Sequence, residues 1–409
     1  MLNSSPENMS DQRLQLPFRL SPPAGGRVDL LIVAGEHSGD EHAARIVADL
    51  RQRQPDLAVS ALGGPAIAAA GAQLLHDMTA TSVVGLVEVL KNYSFFKTLF
   101  NEILRWITVY RPRAVLFVDY PGLNLRLAAA LHERGLSVKG GGDIRLLYYI
   151  SPQIWAWKAK RRFRMAEHLD TLAVIFPFEV ECYKDTPLPV EFVGHPFLAP
   201  DYRPPVRYDP DGPVLLLPGS RKQAVARIFP LLVAGHATHD ANHPRDDAFN
   251  ARDALVLYPS DTILRVIENT LPPTPPRWLH FQKTGDHDEP VPASAVLMSS
   301  GTMSLHVALA EIPGAIAYRA NPLTWLLGRM LVKIPYLGIS NLLLREPMYP
   351  EYLQNAATPE ALAGELHDCL DPEKRPACLA RTREQAARLR ALLRQPAAGT
   401  ATDWVLRHL

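Results

Sequence analysis

Three carboxylates suited to proton transfer lie just after runs of apolar residues. Glu36 and Asp40 follow the run 28–34, VDLLIVA, and Asp119 follows the run 114–118, AVLFV. Continuous apolar runs that lead into helical patterns are typical of buried parallel strands. Ligands of open α/β sheets bind at the carboxyl ends of such strands. These carboxylates are therefore candidates for a general base or for recognition of hydroxyl groups.

The turn after the first run also allows a ligand to approach the backbone closely. Gly35 and Gly39 have no side chain to block that approach, and Ser38 adds a hydroxyl. On these residues alone, an equally good interpretation is that Ser38 and Asp40 cap the helix that follows.

Two later turns have the composition of phosphate-binding sites. They comprise Gly219, Ser220 and Arg221 after the run 214–217, and Ser300, Gly301 and Thr302 after the run 296–298. Backbone N–H groups and the positive end of the helix dipole converge at a helix start. An arginine adds a fork of donors that matches phosphate oxygens. The first turn is predicted to bind a diphosphate, the alternative being an ordinary strand-to-helix turn whose arginine makes a surface ion pair.

Length and composition limit the class of protein. The chain has 409 residues, so two domains of roughly 200 residues are expected. The formal net charge is only +1, which does not indicate a nucleic-acid partner. Three scattered cysteines indicate neither a disulfide framework nor a zinc site, and they fit a reducing compartment.

The pattern of elements predicts two doubly wound domains. Residues 1–27 are predicted to be a disordered leader, because they are rich in Ser, Pro, Gln and Asn and lack a signal-peptide core. A Rossmann-like domain with six or seven strands is expected over 28–199, a linker over 200–213 and a second such domain over 214–358. Residues 359–409 are expected to be helical.

The segment 83–100, VVGLVEVLKNYSFFKTLF, is unusually dense in large apolar residues. A buried pair of helices is one interpretation, and an interfacial element that contacts lipid is the other. Glu88 lies within it and either faces solvent or has a role of its own. Two tryptophans, Trp155 and Trp157, follow a predicted strand and either pack in the core or line a sugar or acyl pocket.

A set of longer motifs gives the chain a specific resemblance to the lipid-A-disaccharide synthase family, whose members are GT-B glycosyltransferases. The motifs are AGEHSGDE (34–41), VVGLVEVLK (83–91), DYPGLNLRLA (119–128), YYISPQIWAWKAKR (148–161), FPFE (176–179), FVGHP (192–196), LLLPGSR (215–221), SSGTMSLH (299–306), YRANPLT (318–324), PYLGISNLLL (335–344) and PEYLQ (350–354). Their joint order and spacing cover nearly all of the predicted folded length.

The resemblance implies an α/β fold of GT-B type, with two Rossmann-like domains facing a cleft and a helical C-terminal segment that either packs back on the N-terminal domain or exchanges between subunits of a homodimer. It implies inverting transfer of 2,3-diacylglucosamine from UDP-2,3-diacylglucosamine to the 6-hydroxyl of 2,3-diacylglucosamine 1-phosphate. No cofactor or metal is expected. The implied location is the cytoplasmic face of the bacterial inner membrane, with peripheral association through 83–100.

The resemblance also implies roles for individual residues. Asp119 is expected to be the general base, with Glu36, Asp40 and Glu88 as rivals, and Arg221 is expected to stabilise the departing diphosphate. Asn341, Glu351 and Gln354 are expected to line the cleft. The full set of expected substrate-binding residues is Gly35, Ser38, Gly39, Asn124, Ser151, Trp155, Gly219, Ser220, Ser300, Gly301, Thr302, His306, Arg319, Asn341, Glu351 and Gln354.

Three positions depart from the family pattern. Ala224 and His306 stand where relatives usually carry Glu, and Ser340 stands where they tend to carry Pro. A degenerate paralogue that binds its ligands without turnover is therefore an alternative, as is another UDP-amino-sugar transferase or epimerase. Asp119 and Arg221 argue against the inert paralogue, and the apolar segment 83–100 argues against an epimerase with soluble substrates.

Overall fold

The fold is described from a computed structural model. The residues it describes are 19–79, 93–200, 202–242, 253–285, 289–321, 325, 334–396 and 399–409. They divide into two compact units: a first unit up to Pro196 that also includes Gln395–Leu409, and a second unit, Phe197–Arg394.

The first unit is built on a sheet of seven parallel strands in the order β3-β2-β1-β4-β5-β6-β7. The strands are β1 (Leu30–Ala34), β2 (Val59–Gly63), β3 (Gln73–Asp77), β4 (Ala114–Val118), β5 (Arg145–Tyr149), β6 (Thr171–Val174) and β7 (Val190–Phe192). The helices are α1 (His37–Arg53), α2 (Pro65–Ala69), α3 (Tyr93–Tyr110), α4 (Pro121–Glu133), α5 (Arg161–His168) and α6 (Phe178–Glu181), with α13 (Ala401–Arg407) from the end of the chain.

The apolar runs of the first unit are buried on both faces of this sheet. Leu31 and Val33 of β1 belong to one core cluster, and Leu30 and Ile32 belong to the cluster on the other face. Burial on both faces removes the polar alternation of a half-exposed strand, which is why these strands are continuous apolar runs. The prediction of six or seven strands in a doubly wound sheet is confirmed.

Part of the predicted disordered leader is ordered. Residues 19–27 pack on the first unit: Leu20 is buried, its backbone N–H donates to Glu102, and Trp106 Nε1 donates to the carbonyl oxygen of Ser21. The polar composition of 1–27 concealed these few contacts. Residues 1–18 lie outside the described part of the chain.

The second unit has a six-stranded parallel sheet in the order β11-β10-β9-β13-β14-β15 and a separate parallel pair, β8 and β12. The strands are β8 (Val206–Tyr208), β9 (Val214–Leu217), β10 (Ala254–Tyr258), β11 (Leu279–Lys283), β12 (Val291–Ala293), β13 (Ala295–Met298), β14 (Gly314–Tyr318) and β15 (Glu351–Leu353). The helices are α7 (Lys222–Asn242), α8 (Asp261–Glu268), α9 (Met303–Leu309), α10 (Ile339–Leu344), α11 (Pro359–Leu370) and α12 (Arg375–Leu393).

Two boundaries differ from the sequence-based prediction. The segment 200–213 is not wholly a linker, because it contains β8, which pairs with β12 of the second unit. Of the helices in 359–409, α11 and α12 belong to the second unit and only α13 belongs to the first. There the indole of Trp404 is fully buried, and its Nε1 donates to Thr171 Oγ1 at 3.2 Å.

The apolar segment 83–100 is described only in part. Residues 83–92, with Glu88, lie outside the described residues, and 93–100 form the start of α3. Phe95 and Leu99 of α3 are buried in the first core, whereas Lys97 is exposed. Among the described helices, none is long and apolar enough to cross a membrane.

Candidate active site

Glu36 and Asp119 come together at the carboxyl edge of the first sheet. The strand order reverses between β1 and β4, which are direct neighbours, so a crevice forms where these two strands end. Glu36 is the exposed residue that precedes α1, and Asp119 directly follows β4. The sequence-based expectation that the two carboxylates share one edge of the sheet is met by this arrangement.

The main chain at Asp119 adopts an uncommon conformation that its neighbours stabilise. Asp119 and Tyr120 have φ values of 45° and 46°, in the left-handed region that non-glycine residues rarely adopt. The carbonyl oxygen of Asp119 accepts hydrogen bonds from Tyr148 Oη at 2.7 Å and from Asn124 Nδ2 at 2.8 Å. A strained backbone stabilised in this way is a common feature of functional sites.

Gly35 is required by the ring of Tyr120. A Cβ atom on Gly35 would lie 2.1 Å from Tyr120 Cδ1, which is far inside van der Waals contact. The glycine therefore makes room for the tyrosine that follows Asp119, and the turns after β1 and β4 pack directly against each other.

Asp119 has the electrostatic character of a general base. Burial raises the pKa of its carboxyl group to about 6, the negative charge of Glu36 adds to the rise, and a hydrogen bond from the Tyr120 N–H opposes it. At neutral pH the group is then mostly ionised, yet it holds a proton more tightly than an exposed aspartate does. A base with a pKa close to the working pH combines the correct protonation state with a useful driving force for proton transfer.

Asp40 has a different role. Its side chain is fully buried, and its carboxylate accepts hydrogen bonds from the N–H groups of Gly64, Ala66 and Ile67 at 2.7, 3.0 and 3.2 Å. These amides lie at the start of α2. Asp40 therefore caps α2, although it belongs to α1. With its oxygens occupied by these donors, Asp40 is a poor candidate for the base.

The other residues of the two turns have mixed environments. Ser38 is exposed close in the chain to Glu36, whereas Gly39 is buried, and a Cβ atom added to Gly39 would lie 3.6 Å from the Cβ of Ala34. Asn124 is buried, and its Nδ2 binds the carbonyl oxygens at the ends of β1 and β4. Among the residues that the structure describes, none forms a hydrogen bond with the Oδ1 atom of Asn124.

Glu179 is a further residue of this site that was not predicted individually from the sequence. It is 2 % exposed, directly after the FPF turn that follows β6, and it accepts hydrogen bonds from Trp155 Nε1 and from the Phe176 N–H, both at 3.2 Å. Burial raises the pKa of Glu179 to about 8, and Asp119 is one of the charges that add to the rise. An acid in an apolar motif was the available signal, but its burial depends on the tertiary fold.

Glu179 accepts a hydrogen bond from Trp155, which was expected either to pack in the core or to line a sugar or acyl pocket. The indole ring of Trp155 meets the ring of Phe178 edge to face, with centroids 5.5 Å apart, and is half-buried. Ser151, expected to contact substrate, is instead buried, and its Oγ is hydrogen-bonded to Tyr183 Oη at 2.7 Å.

The raised pKa of Glu179 predicts a specific pH dependence of stability. A carboxyl group with a raised folded-state pKa stabilises the fold below its unfolded pKa of 4.5, and this contribution is lost as pH rises to about 8. The thermal midpoint of the native protein should therefore fall between pH 6 and 8, above the range where Asp119 titrates. In Glu179→Gln this fall should be much smaller, as measured by thermal denaturation across that range. Parallel curves for the two proteins would contradict the assignment.

In the second unit the two phosphate-type turns lie side by side. They follow β9 and β13, adjacent strands at the point where this sheet also reverses its order. Gly219 has a φ of 99°, and a Cβ on it would lie 2.8 Å from Ser299 Oγ. The positive φ and the close approach of Ser299 both favour glycine at position 219. The Ser299 N–H also donates to the Leu217 carbonyl oxygen at 2.9 Å, which joins the two turns.

The polar groups of these turns are accessible. Ser220, Arg221, Gly301 and Thr302 are exposed, and Ser300 is half-buried. Arg221 directly precedes α7, and its carbonyl oxygen accepts the first helical hydrogen bonds from Ala224 and Val225. Its guanidinium makes no hydrogen bond or ion pair with a described residue, so the donors are available to an anion.

Other residues of the second unit that were expected to bind substrate form hydrogen bonds within the protein. Buried Asn341 bonds to the backbone at Met348 and Tyr349 and to Glu351, and Glu351 also accepts from the N–H groups of Leu337 and Gly338. These hydrogen bonds connect the start of α10 to β15. Ser340, at the position where family members tend to carry proline, is buried, and its Oγ has no hydrogen-bond partner among the described residues.

Gln354, Arg319 and His306 also have partners. Gln354 bonds to both the N–H and the carbonyl oxygen of Ala320, and the exposed Arg319 donates to the Ala357 carbonyl oxygen at 2.7 Å. His306 stacks on Phe197, with centroids 3.9 Å apart, and its Nδ1 is hydrogen-bonded to Tyr202 Oη. Within the described ranges no group of three or more His, Cys, Asp and Glu side chains is arranged to bind a metal.

Solved structures with this arrangement of strands define the class of fold. A putative UDP-N-acetylglucosamine 2-epimerase from Listeria monocytogenes matches with a TM-score of 0.55, 12 % identity and coverage of 93 % of this chain and 95 % of its own. The glycotransferase of kitacinnamycin matches with a TM-score of 0.53, 14 % identity and coverage of 94 % and 100 %. The fold is that of the GT-B glycosyltransferases, as the sequence predicted.

Sequence comparison identifies the family. The family model described as lipid-A-disaccharide synthetase matches residues 30–398. A lipid-A-disaccharide synthase from Geobacter metallireducens is 34 % identical, covering 87 % of this chain and 92 % of the relative, and one from Legionella pneumophila is 36 % identical, covering 81 % and 85 %. The chain belongs to the lipid-A-disaccharide synthase family and is a glycosyltransferase of lipid A biosynthesis.

Proposed function

We propose that the protein transfers 2,3-diacylglucosamine from UDP-2,3-diacylglucosamine to the 6-hydroxyl of 2,3-diacylglucosamine 1-phosphate, with inversion at the anomeric carbon. The observation that carries this proposal is Asp119, a partly buried carboxylate of raised pKa beside Glu36 where β1 and β4 end. Inverting transfer needs one base on the acceptor side and stabilisation of the leaving group on the other.

In the proposed reaction, Asp119 is the base that accepts the proton of the acceptor hydroxyl. The acceptor O6 forms the new bond to the anomeric carbon while the bond from that carbon to the UDP oxygen breaks. The hydroxyl proton passes to the Asp119 carboxylate, and the bonding pair of the leaving group stays on UDP. Glu36 supports this step because its charge raises the proton affinity of Asp119.

The second unit supplies the groups suited to the leaving diphosphate. Negative charge develops on the UDP oxygen as the bond breaks, and donors already in place stabilise it. The guanidinium of Arg221 and the hydroxyl of Ser220 are exposed where β9 ends. The turn 300–302, in which Gly301 and Thr302 are exposed and Ser300 is half-buried, follows the adjacent strand β13. We assign them to the diphosphate, so no metal step is needed in the proposed sequence.

Because both substrates carry acyl chains, we also propose that the enzyme works at the cytoplasmic face of the inner membrane and associates with it through 83–100. The composition of this segment supports the proposal. Changing Val84 and Leu86 together to Ser should reduce flotation of the protein with phospholipid vesicles. Undiminished flotation would count against this segment.

Release of UDP tests the function directly. Native protein should release UDP from UDP-2,3-diacylglucosamine only when 2,3-diacylglucosamine 1-phosphate is present, and a disaccharide phosphate should form. Donor binding without turnover would contradict the proposal. It would favour the degenerate paralogue, to which Ala224 and the engaged His306 point, because neither offers a free carboxylate.

A further inference from the structure

We propose that a basic groove on the first unit, between α4 and α5, binds the phosphate group of the acylated sugar acceptor. This inference rests on the proposed function and assigns its acceptor subsite. The groove is a cavity of about 1230 Å³, lined on one side by Gly122, Leu125 and Arg126 of α4 and on the other by Lys158, Arg161 and Arg164.

The charge of the groove is strongly one-sided. Five of its lining residues are basic, namely Arg126, Lys158, Lys160, Arg161 and Arg164, against the two acids Glu133 and Glu167. None of the five forms an ion pair with a carboxylate in the described part of the chain. Arg162, in the same segment, has its guanidinium bonded to both oxygens of Asp185 and is not part of the lining. Lys158 and Arg161 lie over the ring of Trp157, at 4.2 and 5.9 Å from its centroid. Because no carboxylate neutralises the five cations, their charge can still attract a ligand of high negative charge, such as a phosphate monoester.

The base of the groove is apolar. Met165 and Leu169 are almost fully buried and line it, together with the half-buried Leu125 and the aliphatic parts of α4. A ligand that combines a phosphate with hydrocarbon matches such a surface, because the anion contacts the basic rim while apolar groups leave water. An acylated sugar phosphate has this combination of properties, whereas a nucleotide does not.

One end of the groove is close along the chain to the proposed base, although Asp119 itself does not line it. Its lining begins at Pro121, two residues after Asp119 in the chain. Burial raises the pKa of Tyr148 well above its ordinary value, with Asp119 adding to the rise and Arg161 opposing it. The hydroxyl of Tyr148 donates to the carbonyl oxygen of Asp119. Tyr148 therefore lies close enough to both Asp119, the proposed base, and Arg161 of the groove for their charges to affect its pKa.

Membrane phospholipids carry the same phosphate chemistry, yet the observations favour the acceptor. A groove between two helices beside the base would place the acceptor phosphate at a defined position relative to the reacting hydroxyl. A planar membrane surface needs no such cavity and no link to Asp119.

The test is charge reversal of the two exposed arginines that line opposite sides of the groove. Arg126→Glu with Arg164→Glu should raise the KM for 2,3-diacylglucosamine 1-phosphate by about tenfold or more, while the KM for the UDP-sugar and kcat at saturation stay near native values. Arg162→Ala is the matched control and should leave the acceptor KM unchanged. With an acceptor that lacks the phosphate group, the native and variant proteins should have the same acceptor KM.

Binding measurements separate this inference from the proposed function. If the native protein releases no UDP, the proposed function fails, and equilibrium binding of 2,3-diacylglucosamine 1-phosphate to native and variant proteins still tests the groove. Equal affinity of the two proteins, or an equal loss with the acceptor lacking phosphate, would overturn the subsite. A variant with an unchanged acceptor KM that no longer floats with phosphatidylglycerol vesicles would assign the groove to membrane lipid and would also overturn it.

Discussion

Asp119→Asn is expected to lower kcat by about 10²- to 10⁴-fold, the range typical of losing a general base. Asparagine has almost the same shape but cannot accept the proton of the acceptor hydroxyl. The unit should stay folded, because Tyr148 and Asn124 bond to the backbone carbonyl of residue 119 and not to its side chain. The measurement is the rate of UDP release at saturating substrates, with a thermal melt to confirm folding.

The pH profile distinguishes a base from a residue that only supports the fold. Because the carboxylate is the active form, kcat/KM of the native enzyme, which reports the free protein, should rise with pH around a midpoint of about 6 and then level off. Glu36→Gln removes the negative charge that helps raise this pKa, so the midpoint should move to lower pH. Glu41→Gln, at an exposed neighbouring carboxylate, is the matched control. An acid limb that is unchanged in Glu36→Gln would contradict the pairing of Glu36 with Asp119.

Much of the fold follows from local pattern. Strands such as β4 and β9 are covered on both faces, so they are uninterrupted apolar runs whose type and ends are readable. Since parallel strands end at one edge, the residues after them are brought together by topology alone. This is why Asp119 and Glu36, and the turns at Gly219 and Ser300, could be paired from the sequence.

Contacts distant in sequence could not be predicted in the same way. Asp40 was predicted either to act in catalysis or to cap the helix that contains it, whereas it caps α2 across a gap of 24 residues. Glu179 was inconspicuous within FPFE, because its burial and its bond to Trp155, 24 residues earlier in the chain, depend on the tertiary fold. A pattern along the chain carries no information on such neighbours.

The family resemblance located positions without specifying the bonds they make. Asn341 and Glu351 were expected to line a cleft, yet they bond to each other and to the backbone around α10. These hydrogen bonds connect α10 to β15 and would keep a nearby site ordered. A motif can therefore be characteristic of a family because its residues stabilise the structure. Their part in substrate binding stays a prediction.

Arg221→Ala is expected to lower kcat/KM by about 10²- to 10³-fold, as when a single preorganised donor to a developing negative charge is removed. The guanidinium is exposed and has no partner among the described residues, so the thermal midpoint should be unchanged. Arg221→Lys should recover only part of the activity, because an ammonium group cannot bind two phosphate oxygens in parallel. Lys222→Ala removes the exposed cation of the next residue and serves as the control. If Lys222→Ala and Arg221→Ala weaken UDP binding equally in calorimetry, the effect is general electrostatic attraction and the assignment of Arg221 to the diphosphate is wrong.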